Sequence, residues 1–177
     1  MLRLHVLPRR PQTKACVIFD SRYGNTAKVG RSLSKGLNEA GIETACVNVR
    51  DATFEYLEQC GLICVGAPTE KFSASKPMKQ FLRTLKSVGL SGKYGFAFDT
   101  KVDSRLSGSA AKFIEKELDR LGLQLIVRRE YAYVDVTKGN GSTRSATLKD
   151  GEEARFEKIG TKIGEAVLAA NSRSTNS

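Results

Sequence analysis

Ala15-Cys16-Val17-Ile18-Phe19-Asp20-Ser21-Arg22-Tyr23-Gly24-Asn25-Thr26 is the stretch on which the fold turns. Its first five residues are an unbroken apolar run, the pattern of a strand buried on both faces. The polar residues after it lead into Val29, Leu33 and Leu37, which recur every four positions as the inner stripe of a helix stopped at Gly41. Two hydroxyls, a glycine and an amide thus stand where a strand hands over to a helix. Those are the parts of an anion cradle: backbone N–H groups point outward, Gly24 permits a tight turn, and Ser21 and Thr26 donate from their side chains. The helix dipole adds about 0.3–2 kcal/mol for a bound phosphate. The loop is neither a Walker loop nor a GxGxxG turn. Its plain alternative is an ordinary capped strand–helix connection.

The same alternation continues in the C-terminal direction. Thr44–Val49 reads as a second strand, Asp51–Glu58 as a short helix and Leu62–Val65 as a third strand. Met78, Phe81, Leu82 and Leu85 mark a helix with Pro77 in its first turn, and Tyr94–Phe98 a fourth strand. Ile114, Leu118 and Leu121 predict a helix ending at Gly122. A fifth strand region runs from Gln124 towards Val136, with a bulge or break at Arg128-Arg129-Glu130. Lys138–Ser142 is a loop. Asp150 and Glu153 form a capping-box pattern ahead of Phe156, Ile159, Ile163 and Val167. The expected organisation is a flexible basic arm over 1–14, one domain over 15–170 and a disordered polar tail over 171–177. Five strands separated by helices predict an α/β fold, a three-layer α/β/α sandwich around a parallel sheet. Such sheets bind ligands beyond the carboxyl ends of their strands, here the loops after Phe19, Val65 and Phe98.

Composition narrows the chemistry. The 177 residues are 40% hydrophobic and 27% charged, the balance of one water-soluble domain without a membrane-spanning run. The only histidine is His5, in the basic N-terminal stretch, which argues against a His-based triad, acid–base pair or zinc site. Cys16, Cys46, Cys60 and Cys64 form no CxxC pair, and three of them fall in apolar runs, so they read as buried core. With no apolar signal stretch at the start, the expected compartment is the reducing cytoplasm. Net charge is +10, and ten basic residues between Lys71 and Lys116 face only Asp99, Asp103 and Glu115. That block is either a set of solvated helix faces or a basic rim with a task.

Ser21-x-Tyr23-Gly24-Asn25-Thr26 after the first strand resembles the phosphate loop of the flavodoxin family. The resemblance extends over residues 15–170 and implies a five-stranded parallel sheet in the order 2-1-3-4-5, with FMN as cofactor. It implies that Ser21, Arg22, Tyr23, Gly24, Asn25 and Thr26 surround the terminal phosphate. Gly66-x-Pro68-Thr69 is similar to the family's second flavin loop, which brings in Pro68, Thr69, Glu70 and Phe72. Phe72 is the aromatic available to stack on the isoalloxazine; its other reading is core or loop cover. The third loop brings in Asp99, Thr100 and Lys101, with Thr100 able to bond the ring's polar edge. There the sequence departs from the family: no aromatic lies between Phe98 and Phe113, and Lys101 and Arg105 replace acidic residues. A more exposed flavin follows from that departure. Ser107 or Ser109 caps the next helix.

The resemblance implies an electron carrier that takes up FMN non-covalently and shuttles electrons between redox partner proteins. No residue is catalytic in the acid–base sense, and no metal site is expected. The basic rim would steer an acidic partner and raise the cofactor's potential. The alternative is an FMN-dependent oxidoreductase on the same fold, a quinone reductase or protoporphyrinogen-oxidase-like enzyme, to which the Lys138–Lys149 stretch is weakly comparable. A third reading is a flavin-free module binding an acidic partner or nucleic acid. Nucleic acid is disfavoured by the lack of an RNA-type stacking motif.

Overall fold

In the computed structural model, which describes residues 13–138 and 144–174, the apolar run at Ala15 forms β1 (Lys14–Phe19), and the helical stripe after it forms α1 (Asn25–Glu39). There follow β2 (Glu43–Asn48), α2 (Phe54–Gln59), β3 (Leu62–Glu70), the two-residue β4 (Ser73–Ala74) and α3 (Lys76–Thr84). The rest is β5 (Tyr94–Val102), α4 (Ala110–Arg120), β6 (Gln124–Leu125), β7 (Glu130–Lys138), β8 (Arg144–Leu148) and α5 (Glu152–Ser174).

The main sheet runs β2-β1-β3-β5-β7-β8. Its first five strands are parallel, so the expected order 2-1-3-4-5 holds with β5 as the fourth strand and the β6–β7 line as the fifth. The break expected at Arg128–Glu130 is real. Glu115 on α4 accepts hydrogen bonds from the backbone N–H and the guanidinium of Arg129, and this holds the chain out of the ladder between β6 and β7. The sheet carries one strand more than expected: β8 pairs antiparallel with β7 from Val134↔Leu148 to Lys138↔Arg144. The sheet is therefore mostly, not wholly, parallel.

Period-two alternation sorts the strand residues onto two faces. Cys16, Ile18, Ile63, Val65 and Ala97 face the layer of α2, α3 and α4, while Val17, Phe19, Leu62, Cys64, Phe96 and Phe98 face α1 and α5. Close approach of α1 and α5 depends on Gly36 and Gly160. A Cβ on Gly160 would overlap the Leu33 carbonyl oxygen, and one on Gly36 the Glu157 carbonyl oxygen.

Two end signals differ from expectation. Gly151, with φ +83°, ends the turn before α5, and its carbonyl accepts from Arg155 N–H, so Asp150 is not the cap. The helix also continues through Ser174, past the boundary drawn at 170. Residues 1–12 of the basic arm, 139–143 of the expected loop and 175–177 of the tail lie outside the described residues, while Lys14, placed in the arm, opens β1.

Candidate functional site

The N-terminus of α1 is built for an anion. Gly24 occupies the cap position with φ 82°, no acidic residue lies in the first turn, and the Ala27 N–H donates to Ser21 Oγ at 3.3 Å. As an acceptor there, Ser21 keeps its own O–H free to donate outward. The Asn25 and Thr26 N–H groups belong to the first turn and have no intrahelical acceptor. By contrast, α5 carries Glu152 and Glu153 in its first turn, which satisfy its own dipole.

Not every loop side chain turns to the anion. The Asn25 amide donates to the Ala146 carbonyl at 2.8 Å and accepts from Leu148 N–H at 3.1 Å, imitating a neighbouring strand for β8. Its side chain is thus a structural clamp, and only its backbone remains for a phosphate. Thr26 Oγ1 lies 2.8 Å from Thr100 Oγ1, so two buried hydroxyls tie α1 to the end of β5. Arg22 and Tyr23 are exposed, with the guanidinium 5.3 Å from the ring centroid, and Arg22 reaches Glu70 at 3.9 Å.

The second loop is a hairpin. Glu70 pairs with Ser73 across Lys71 and Phe72, whose φ values are 45° and 67°. Two positive φ angles make a type I′ turn, usually Asn-Gly, and each non-glycine residue there costs about 1–2 kcal/mol. Phe72 sits on the tip 71% exposed, so it is not a core residue. Its backbone bridges to Gly108 in the third loop, and its carbonyl accepts from Ser109 N–H. The φ of 70° at Gly108 and its contact with the Phe72 backbone leave no room for a side chain there.

Asp99 joins the second and third loops from inside. It is fully buried, and its Oδ2 accepts from Thr69 Oγ1 at 3.0 Å, Ser109 Oγ at 2.8 Å and Ala111 N–H at 3.0 Å. Thr69 in turn accepts from Ala110 N–H, and Ser109 caps α4 by accepting from Lys112 N–H. Burial pushes the Asp99 carboxyl above its ordinary value, against the pull of these donors. Asp99 is therefore a fastener between loops and does not line the cleft.

A cleft of ≈ 250 Å³ opens beside the α1 N-terminus. Of the expected residues, Arg22, Tyr23, Asn25, Thr26, Pro68, Thr69, Glu70, Thr100 and Lys101 line it. Phe72 belongs to a neighbouring groove, which Lys101 also lines, and the Lys101 ammonium lies 5.2 Å from the Tyr131 ring centroid on the α4 side. The remaining wall is the β7–β8 hairpin, with Val134, Val136, Arg144, Ser145 and Ala146. The residues of this wall were missed. The signal was Asn140-Gly141, the strongest short hairpin pair, between two runs that each alternate.

These residues fit FMN. The free N–H groups and Ser21 hydroxyl suit its phosphate, Arg22 and Arg144 add positive charge, and the apolar faces of Pro68, Val134 and Val136 suit the flavin ring. When bound, FMN supplies electron-transfer chemistry that no protein side chain here provides.

A family model described as a flavodoxin domain matches residues 16–127. Among curated proteins, diflavin flavoprotein A 5 of Nostoc sp. is 28% identical over 169 residues, covering 88% of this chain and 29% of the relative. A flavodoxin of Clostridium saccharobutylicum is 28% identical over 88 residues, 49% of this chain and 55% of the relative. The chain thus spans less than a third of the first and about half of the second. Among solved structures, an archaeal flavodoxin superposes with TM-score 0.73 at 22% identity, covering 88% of this chain and 99% of that one. The flavodiiron protein of Giardia intestinalis superposes with TM-score 0.68 at 20% identity, covering 88% and 36%. The unblocked α1 N-terminus, the strand order and the matched model lead to one conclusion: the chain belongs to the flavodoxin family of FMN-binding domains.

Proposed function

We propose that this domain is an electron carrier that takes up FMN reversibly and passes electrons between redox partner proteins, at least one with an acidic face. The observation that carries this reading is the α1 N-terminus, left without a carboxylate and opening into a cleft walled by the ends of β3 and β5. The protein's part is to bind, orient and shield. Ser21 and the first-turn N–H groups hold the phosphate, the Thr26–Thr100 pair fixes α1 against β5, and Asp99 sets the spacing of the two ring-side loops. Among the described residues, the titratable groups lining the cleft are Arg22, Tyr23, Glu70, Lys101 and Arg144, and no His or Cys accompanies them.

The test is an absorption spectrum of purified protein after FMN addition and desalting. Retained flavin bands near one equivalent are expected, with retention reduced about tenfold or more in Ser21→Ala, where one charge-assisted hydrogen bond is lost. A protein that retains no FMN overturns the reading.

A second reading is favoured by the coverage: the chain aligns over 88% of its length with less than a third of a diflavin flavoprotein. In that reading the domain is the flavin module of a larger oxidoreductase and hands electrons to another centre of the same assembly. Turnover of a quinone or other small acceptor by the isolated domain would favour an enzyme over a carrier.

A further inference from the structure

We propose that the cationic groove between α4 and β7 is the docking surface for an acidic redox protein, an inference that rests on the carrier reading above. The groove, of ≈ 580 Å³, is lined by Phe72, Lys101, Arg105, Lys112, Lys116 and Arg129 among others. Arg129 is paired with Glu115. Lys101, Arg105, Lys112 and Lys116 form no ion pair among the described residues, and what sets them apart from unpaired cations elsewhere, such as Lys158 and Lys162 on α5, is that they line one groove. The nearby acids are already engaged: Asp99 is buried and Asp103 pairs with Lys149. Four unneutralised charges on one concave face call for a partner of opposite sign.

Two apolar side chains stand proud beside them, Phe72 at 71% and Leu106 at 83% exposure. Apolar anchors ringed by charge are the composition of a transient protein interface. A nucleic-acid surface would instead offer open aromatic faces for base stacking. Here the Tyr131 ring carries Lys101 at 5.2 Å and Arg129 at 5.9 Å, and the Phe113 ring carries Lys79 at 5.3 Å, so among the described groove residues Phe72 is a single open ring and not part of a series of stacking platforms. Lys101 lines this groove and the cofactor cleft alike, so a protein seated here is next to the cofactor. The strained Lys71–Phe72 turn, held to Gly108, presents the Phe72 anchor in a fixed position at low entropic cost.

The experiment uses fluorescently labelled acidic [2Fe–2S] ferredoxin as probe, with binding followed by anisotropy and FMN-loaded protein reduced by the same ferredoxin in stopped flow. Lys112→Glu/Lys116→Glu is compared with Lys158→Glu/Lys162→Glu, an identical charge change on exposed positions of α5 in the opposite layer. The groove variant is expected to weaken binding and slow reduction about tenfold at about 20 mM salt, and to flatten the salt dependence. The α5 variant is expected to change either by less than about twofold, and both are expected to retain FMN as the parent does. Equal losses in the two variants would show a net-charge effect and overturn the groove. So would unchanged binding in the groove variant, no ferredoxin binding by the parent, or tighter groove-dependent binding of a 20-base-pair DNA duplex. Anisotropy needs no FMN, so loss of flavin retention alone defeats the carrier reading while the docking result stands by itself.

Discussion

Asp99 is the residue whose chemistry is most at odds with its surroundings. A carboxyl is fully buried with three donors on Oδ2, while Oδ1 has no hydrogen-bond partner among the described residues. Its folded pKa is raised above the ordinary 3.8, so the folded state holds the proton more tightly than the unfolded chain. The contribution of this group to stability is therefore fully present below about pH 3.8 and is lost as pH rises through the raised value. Asp99→Asn keeps an oxygen for the three donors and removes the buried charge. Denaturation midpoints measured from pH 4 to 8 should show the variant gaining on the parent as pH rises; a gap that narrows towards pH 8 would refute this account. Asp99→Ala should lose stability throughout, by about 1–3 kcal/mol, because it orphans the Thr69 and Ser109 hydroxyls and the Ala111 N–H. Side-chain roles of this kind were only partly legible in the sequence. Gly24 is legible because its task, a tight turn with φ 82° at the start of α1, is local. The clamp made by the Asn25 side chain is not legible locally, because its partners, Ala146 and Leu148, lie more than a hundred residues away on β8. Asp99 looked like a loop carboxylate; nothing in its neighbours announced that β5 would run on to Val102 and bury it.

Among the elements, those with continuous apolar runs or clean helical stripes were legible and those defined by pairing were not. β1, β3, β5 and the four longer helices follow directly from side-chain periodicity. β4 is too short to declare itself, and β8 is marked by Asn140-Gly141 ahead of it more than by its two apolar residues, Ala146 and Leu148; each pairs with an open edge, β4 with β3 and β8 with β7. The α1–α5 contact was invisible for a different reason, since it is made by what Gly36 and Gly160 lack. Gly160→Ala forces a methyl group into the Leu33 carbonyl, which neither backbone can yield without separating the helices. A loss of about 1–3 kcal/mol or more is expected in urea denaturation. Gly89→Ala, where the added carbon meets nothing within 4 Å, should change stability by less than about 1 kcal/mol and serves as the control. Equal effects in the two variants would mean that α1 and α5 can separate without cost and would refute the close-packed seat.

For the molecule as a whole, the excess of positive charge bears on the cofactor's energetics as well as on docking. Net charge is +10, and the cations nearest the cleft, Arg22, Lys101 and Arg144, are all at least partly solvent-accessible. Accessible charges act through water and are screened: the Debye length falls from about 30 Å at 0.01 M salt to about 3 Å at 1 M. A positive surround favours the more negatively charged, reduced state. The midpoint potential of the FMN-loaded protein should therefore become more negative as salt is raised across that range, and less steeply so in Lys101→Gln. A potential that rises with salt would show that acidic groups govern the site.

The glycine-mediated seat of α5 on α1 also has a consequence for how the chain is made. Translation delivers β1 and α1 first and α5 long afterwards. Until α5 leaves the ribosome, Phe96 and Phe98 on that face of the sheet lack Phe156, Ile163 and Val167, the α5 side chains of the same buried cluster. The nascent domain thus waits, nearly complete, with one apolar flank open, and that interval is when chaperone capture and self-association compete most strongly with native closure.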